Sequence, residues 1–281
     1  MEVGATGRGV GMYLEFYGLT APPFSITPDP RFLFLSRRHR EAYEHILYGI
    51  TQRKGFIQIT GEVGAGKSTL CRAVLEALGE GYSTALILNP VMTGIQLLRS
   101  ILRELSLPDR GNDRLRLVER LNSFLLERAR GGADVVLFVD EAQDMSGDLL
   151  EEVRLLSNLE TDDRKLLQIV LVGQPELRDH LDTPRLRQLR QRITVRYHLG
   201  PMARDETESY VLHRLRVAGA DGRPTFSRPA IRSIFSYSQG VPRLINAVCD
   251  TALLCGWVEG RDHLGWRQVR RAVAELEGRA R

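Results

Sequence analysis

The run Gly61-Glu62-Val63-Gly64-Ala65-Gly66-Lys67-Ser68 constrains this chain more than any other feature. It fits GxxxxGK(S/T), follows an apolar run at residues 56–60, and opens a helix-like run at residues 69–78. A strand, a glycine-rich turn and a helix in that order form the setting in which such a loop wraps phosphate. Glycines let main-chain N–H groups close on the oxygens, and the helix N-terminus adds its dipole. Lys67 then reaches the β and γ phosphates of ATP, the Ser68 hydroxyl completes a Mg²⁺ shell, and Thr69 carries the loop into the helix. Only three of the 39 basic residues are lysines, Lys54, Lys67 and Lys165, so a lysine here stands where a compact ammonium is needed.

A second element follows at a suitable distance. Residues 135–139 (Val-Val-Leu-Phe-Val) are apolar without alternation, as in a strand covered on both faces, and end in Asp140-Glu141. Parallel sheets present their chemistry at the carboxyl ends of strands. Asp140 is expected to hold Mg²⁺ with Ser68, and Glu141 to polarise the water that attacks the γ-phosphate. The same two carboxylates also suit the start of a following helix.

With 281 residues, 43% hydrophobic and 26% charged, the chain can bury one large core and a smaller satellite. Its longest uncharged stretch, residues 81–98, contains Ser83, Asn89, Pro90, Thr93, Gly94 and Gln96 and is too polar to span a bilayer. Residues 1–11 are glycine-rich and lack a signal peptide's apolar core, so they read as a disordered tail, or as sequence ahead of a start at Met12. Cys71, Cys249 and Cys255 lack CxxC spacing and read as reduced core cysteines of a cytosolic protein. The six histidines form no metal-ligand pattern.

Strand-like runs at 56–60, 84–88, 135–139, 167–172 and 193–199 alternate with helical patterns. That alternation predicts an α/β fold, a three-layer P-loop NTPase with a five-stranded parallel sheet. Apolar residues recur at helical spacing in Cys71, Val74, Leu75 and Leu78, and again in Leu117, Leu121, Phe124 and Leu125. Beyond Pro201 only helical patterns remain, near 205–217, 228–238, 242–255 and 266–278. The expected organisation is a strap and helix at 12–54, a nucleotide-binding core at 55–200, and a small all-helical lid at 201–281 hinged at Gly200-Pro201.

Four further candidates lie outside the loop and the carboxylates. Pro242 suits a first helical turn, so Arg243 would stand at a helix start, away from the face of Ile245, Val248, Cys249, Ala252 and Leu253. There it either touches the γ-phosphate from a mobile lid or is an ordinary surface arginine. Arg187, Arg190 and Arg192 crowd a helix end before the last strand, where an arginine could act on a neighbouring subunit's phosphoryl group or simply complement the helix dipole. Gln174 follows the fourth strand and either orients the water or ends the strand with a polar group. Upstream, Pro22-Pro23-Phe24 and Pro28-Asp29-Pro30 force extended backbone, and the aromatics there need a surface to cover. That surface is the core unless Phe24 or Ile26 covers an adenine, as such a strap does in the ATPases this chain resembles.

The segments YLEFYGLTAPPFSITPDPRFLFLSRRHREAYEHILYGI, GEVGAGKST, LFVDEAQDM, LVGQPEL, LRQLRQRITVRYHL and GVPRLIN carry a resemblance running from about Met12 to the C-terminus. The chain resembles AAA+ ATPases of the ExeA or general secretion pathway protein A group, with relatives linked to MSHA pilus biogenesis and exosortase-associated polysaccharide export. The resemblance implies ATP hydrolysis with Mg²⁺ that drives conformational change or assembly of protein partners in an envelope export machine. It implies a nucleotide-dependent homo-oligomer, cytoplasmic or peripheral at the inner membrane through a partner. It assigns Gln174 to the first sensor, where many AAA+ proteins carry Asn or Thr. It assigns Arg192, with Arg190 as runner-up, to the arginine finger, and Arg243 to the second sensor. Longer members carry a membrane segment and a peptidoglycan-binding region after this module. Transposition-target selectors and origin-recognition proteins share the module, which makes a DNA-linked ATPase the alternative. A pI near 9.1 favours it weakly, against a net charge of only +4 and arginines mixed with acids. A metabolite kinase would leave Arg243 and the arginine cluster idle.

Overall fold

The apolar runs of the sequence become the strands of one sheet in a computed structural model that describes residues 8–27, 29–161 and 164–279. Along the chain, α1 (Arg8–Tyr17), a short 3-10 turn (Pro30–Phe32) and α2 (Arg37–Thr51) lead to β1 (Phe56–Gly61). There follow α3 (Lys67–Leu78), β2 (Tyr82–Ile87), α4 (Gly94–Glu104), α5 (Arg114–Arg130), β3 (Asp134–Val139), α6 (Gly147–Leu156) and β4 (Leu167–Gly173). Next come α7 (Glu176–Leu181), α8 (Arg187–Arg192), β5 (Ile193–Leu199) and α9 (Arg204–Val217). The last elements are β6 (Thr225–Phe226), α10 (Arg228–Ser238), α11 (Pro242–Val258), β7 (His263–Leu264) and α12 (Trp266–Leu276).

Two units result. The α/β unit comprises residues 39–63 and 67–199. Its five strands are all parallel in the order β2-β3-β4-β1-β5. Alternation along the strands gives each face its own cover. Phe56, Val135, Leu137, Val139, Ile169 and Leu171 share a core with α4, α5 and α6. The opposite face meets α3, which packs on β1 and β4, and α2, whose Gly49 lies against the Ile57 side chain. β2 begins at Tyr82, two residues before the expected run, because Tyr82 and Ser83 pair with Asp134 and Val135 at the sheet edge, where burial is not required. Gly61 ends β1 where a Cβ would come within 2.6 Å of the Leu199 carbonyl, so glycine permits the close approach of β5.

The helical unit comprises the described residues up to Arg38, Gly64–Gly66, and the described residues from Gly200 onward. It differs from expectation in three ways. Helix α1 starts at Arg8, inside the expected tail; residues 1–7 and Pro28 lie outside the described residues. The strap at 12–54 is divided, its part before His39 belonging to the helical unit. The reason is its aromatic content: Tyr13, Tyr17, Phe24 and Phe32 bury in the same core as Ile234, Ile245, Val248 and Leu253. The lid is also not wholly helical, since β6 and β7 form a two-stranded parallel pairing of Thr225 with His263 and Phe226 with Leu264. Gly240 adopts φ +79°, and a Cβ there would come within 2.0 Å of the Met202 carbonyl, so only glycine fits this turn.

A buried arginine ties the strap to helix α9. Arg214, 7% exposed, donates from Nε to the Pro23 carbonyl at 2.5 Å and from Nη2 to the Ser25 carbonyl at 3.2 Å. Its Nη1 donates to the Tyr210 hydroxyl at 2.9 Å, which donates to Asn246 Oδ1 at 2.8 Å, and the guanidinium lies 4.8 Å from the Phe32 ring centre. Arg214→Met is expected to destabilise the protein by about 2–4 kcal/mol, because it strips donors from buried carbonyls. Arg214→Lys should rescue little, since a point charge cannot reproduce a three-way fork. Urea unfolding of the two variants checks both outcomes.

Candidate nucleotide-binding site

The loop of residues 61–68 leaves β1 and enters α3 at Lys67, with Gly64 and Gly66 at φ +77° and +94°. Those angles favour glycine and turn the main chain for anion binding. Lys67 is 6% exposed and donates from Nζ to the carbonyls of Gly61 at 2.8 Å and Glu62 at 3.1 Å. Burial pushes the Lys67 ammonium below the ordinary amine value, opposed by the nearby carboxylates of Glu141, Asp140 and Glu62.

One residue into α3, the Ser68 hydroxyl donates to Asp140 Oδ2 at 2.6 Å. Asp140 lies just past β3, is 4% exposed, and accepts the Glu141 N–H on Oδ1 at 2.9 Å. Burial raises Asp140 above the ordinary carboxylate value, while the hydrogen bonds from Ser68 and the Glu141 N–H pull the other way. Serine and carboxylate are hard oxygen donors. They fit Mg²⁺, which takes few protein ligands and the rest from phosphate and water. No cluster of three or more His, Cys, Asp or Glu side chains that could hold a metal ion is found among the described residues.

Glu141 begins a 3-10 turn, Ala142–Asp144, in a left-handed conformation at φ +50° and ψ 39°. It makes no side-chain cap there, so its carboxylate is available for other work. Gln174, the first residue after β4, points Nε2 at Glu141 Oε2 from 3.4 Å. The structure also brings in a residue that the sequence reading did not single out, Gln143. Its Nε2 donates to Glu141 Oε2 at 2.8 Å, and its Oε1 accepts the Gln174 N–H at 2.9 Å. A glutamine two residues after a carboxylate carries no pattern of its own; only the adjacency of β3 and β4 brings it between Glu141 and Gln174.

The remaining candidates are separately placed. Arg243 is exposed at the start of α11, behind Pro242, and within the helical unit its N–H donates to the Gly64 carbonyl at 3.2 Å. Arg190 is exposed and pairs with Asp182 at 3.0 Å. Arg192 is half-buried, with Nη1 donating to Ser157 Oγ at 2.6 Å. Phe24 is 1% exposed and packs edge-to-face on Phe226, so it serves the core of the helical unit, while Ile26 is 71% exposed. Cys71, Cys249 and Cys255 are buried free thiols.

A parallel sheet in this order, with a glycine-rich loop after the inner strand β1 and paired acids after β3, has the fold of the AAA+ class of P-loop NTPases. The family described as AAA domain matches residues 50–181. Cdc6p from Pyrobaculum aerophilum superposes with a TM-score of 0.69 at 20% identity, over 90% of this chain and 70% of that one. The ORC2 protein of Aeropyrum pernix superposes with a TM-score of 0.67 at 19% identity, over 90% of this chain and 71% of that one. At such identities the likeness shows the fold alone.

The sequence relative is more specific. General secretion pathway protein A of Aeromonas hydrophila is 44% identical over 268 residues, 95% of this chain and 49% of that protein. The chain thus spans about half the length of this curated relative. Over that span it carries an AAA+ module similar to that of the general secretion pathway protein A.

Lys67→Ala is expected to weaken binding of a fluorescent ATP analogue at least about a hundredfold, because the only ammonium in the loop is lost. Thermal stability should not fall, since the variant also removes a buried charge whose desolvation opposes folding. Equal affinity in variant and parent would overturn the assignment of this loop.

Proposed function

We propose that the chain binds and hydrolyses ATP with Mg²⁺, and that the resulting conformational change drives assembly of protein partners in an envelope export machine. The observation that carries the chemistry is the Ser68–Asp140 hydrogen bond beside Glu141. Main-chain N–H groups of the loop and Lys67 bind the β and γ phosphate oxygens. Ser68 and Asp140 would hold Mg²⁺, which when bound supplies positive charge against the phosphates. Glu141 accepts a proton from water as the water oxygen attacks the γ-phosphorus in line with the departing ADP oxygen. Gln174 orients that water, and Arg243 reports the γ-phosphate from the start of α11.

Within that setting, secretion is supported by the name of the Aeromonas hydrophila relative, while pilus and exopolysaccharide systems rest on the resemblance alone. No helix among the described residues is long and apolar enough to cross a membrane. The proposed location is the cytoplasmic side, peripheral at the inner membrane through a partner. Neighbours such as Drosophila ORC, whose structure is bound to DNA, keep a DNA-linked function as the alternative. Stimulation of ATP turnover by duplex DNA that fades with added salt would favour it over export.

Glu141→Gln is expected to bind ATP with parental affinity and lower kcat at least about a hundredfold, since it keeps shape but cannot take a proton. Parental turnover in that variant would remove Glu141 from catalysis.

We also propose that the protein works as a homo-oligomer in which an arginine of the α8 end completes a neighbour's site. Arg190 is held only by an exposed ion pair, which costs about 0–1 kcal/mol to give up, whereas Arg192 would abandon a half-buried hydrogen bond. Each of Arg190→Ala and Arg192→Ala is to be mixed with Glu141→Gln, and ATPase activity read in subunits shown to exchange. The arginine acting in trans is the one whose variant is dead alone and regains activity on mixing. Rescue with neither excludes both from that role.

A further inference from the structure

We propose that Gln143 is a positioning residue for hydrolysis, whose carboxamide holds the Glu141 carboxylate in place and couples it to Gln174. The proposal rests on the reading of Glu141 as the proton acceptor. Its basis is a closed set of contacts between the ends of two neighbouring strands. Gln143 Nε2 donates to Glu141 Oε2 at 2.8 Å, Gln143 Oε1 accepts the Gln174 main-chain N–H at 2.9 Å, and Gln174 Nε2 reaches the same Glu141 Oε2 at 3.4 Å.

The orientation of the Gln143 amide follows from its two neighbours. A flipped amide would set its oxygen against the carboxylate and its NH₂ against an N–H, losing both bonds. One end therefore reads a carboxylate after β3 and the other a main-chain donor after β4. Gly173 makes this possible: a Cβ there would stand 2.8 Å from Gln143 Oε1. Glu141 itself sits at φ +50°, a conformation uncommon for a non-glycine residue and kept only where surroundings enforce it. The Asp140 carboxylate on its N–H and the Gln143 amide on its side chain supply that enforcement.

The two amides also divide the carboxylate. Both converge on Oε2, and Oε1 takes no hydrogen bond among the described residues. One oxygen is held and the other is left to accept the proton of water. Shortening Gln143 to Asn removes a methylene from a span that must reach both partners, and Glu in its place sets a second carboxylate against Glu141.

The test uses steady-state ATPase assays and fluorescent-nucleotide binding on the full chain carrying Gln143→Ala, Gln143→Glu, Gln174→Ala and the Ala double variant. Gln143→Ala should lower kcat about tenfold while KM and nucleotide affinity stay within about twofold, because a misplaced base affects the transition state and not binding. The double variant should lose little more than the worse single one, as expected for residues acting as one unit. Gln143→Glu should likewise lower kcat with nucleotide affinity held within about twofold, since a carboxylate cannot donate to Glu141. A kcat for Gln143→Ala within twofold of the parent or above it, a parallel loss of nucleotide affinity, or additive losses in the double variant would each overturn the proposal. The two levels separate cleanly. Normal turnover in Glu141→Gln defeats the base assignment, whereas a dead Glu141→Gln beside a fully active Gln143→Ala defeats only the role of Gln143. Should the Ala variant unfold, the kcat loss at unchanged nucleotide affinity in the near-isosteric Glu variant still decides.

Discussion

The hydrogen bond from Ser68 to Asp140 is the contact on which the α/β unit's chemistry depends. Its partners are 72 residues apart in sequence and leave strands that are not neighbours, since β4 lies between β1 and β3. Helix α3 spans that gap by packing on β1 and β4. The same strand order sets Gln174, at the end of β4, between the loop that follows β1 and the acids that follow β3. Parallel pairing aligns all these ends on one side of the sheet, so each functional group leaves its strand in the same direction.

Burial at this point has electrostatic consequences. Lys67 and Asp140 are both nearly inaccessible, and desolvation drives each toward its neutral form. Their opposite charges, with Glu141 and Glu62, oppose that tendency around Lys67. A low-dielectric surrounding strengthens every interaction with a bound anion, and main-chain N–H groups add donors that need no reorganisation. The cost is a site stable only while its polar groups satisfy one another. Lys67 turned onto the Gly61 and Glu62 carbonyls is one expression of that rule, and the Glu141–Gln143–Gln174 set is another.

The helical unit solves a different problem. Its helices alone would leave the aromatic face of the N-terminal segment uncovered, and Tyr13, Tyr17, Phe24 and Phe32 fill its core. Hydroxyl groups of Tyr13 and Tyr17 reach Asp250 Oδ1 and the Leu253 carbonyl, each at 2.9 Å. Arg214 then holds the extended strap by its carbonyls, which a proline-rich segment cannot satisfy through secondary structure. The opening residues are thereby part of the unit formed by the closing ones.

The sequence by itself determined the elements whose information is local. Gly61 to Ser68 specify a phosphate loop because glycine freedom and a lysine at fixed spacing are properties of one short segment. The apolar runs specify the strands, of which β1, β3 and β4 are buried throughout, because strand burial is written residue by residue. Asp140 and Glu141 were legible as a strand-end pair for the same reason. What only the tertiary structure decided depends on which strand ends become neighbours and which surface an amphipathic segment covers. The pairing of Gln143 with Glu141 and Gln174 arises from β3 lying beside β4. The burial of Phe24 against Phe226 and the assignment of the strap to the helical unit follow from contacts between segments about 200 residues apart, which no local pattern encodes. Periodicity states that a face must be buried; the partner that buries it is a property of the folded chain.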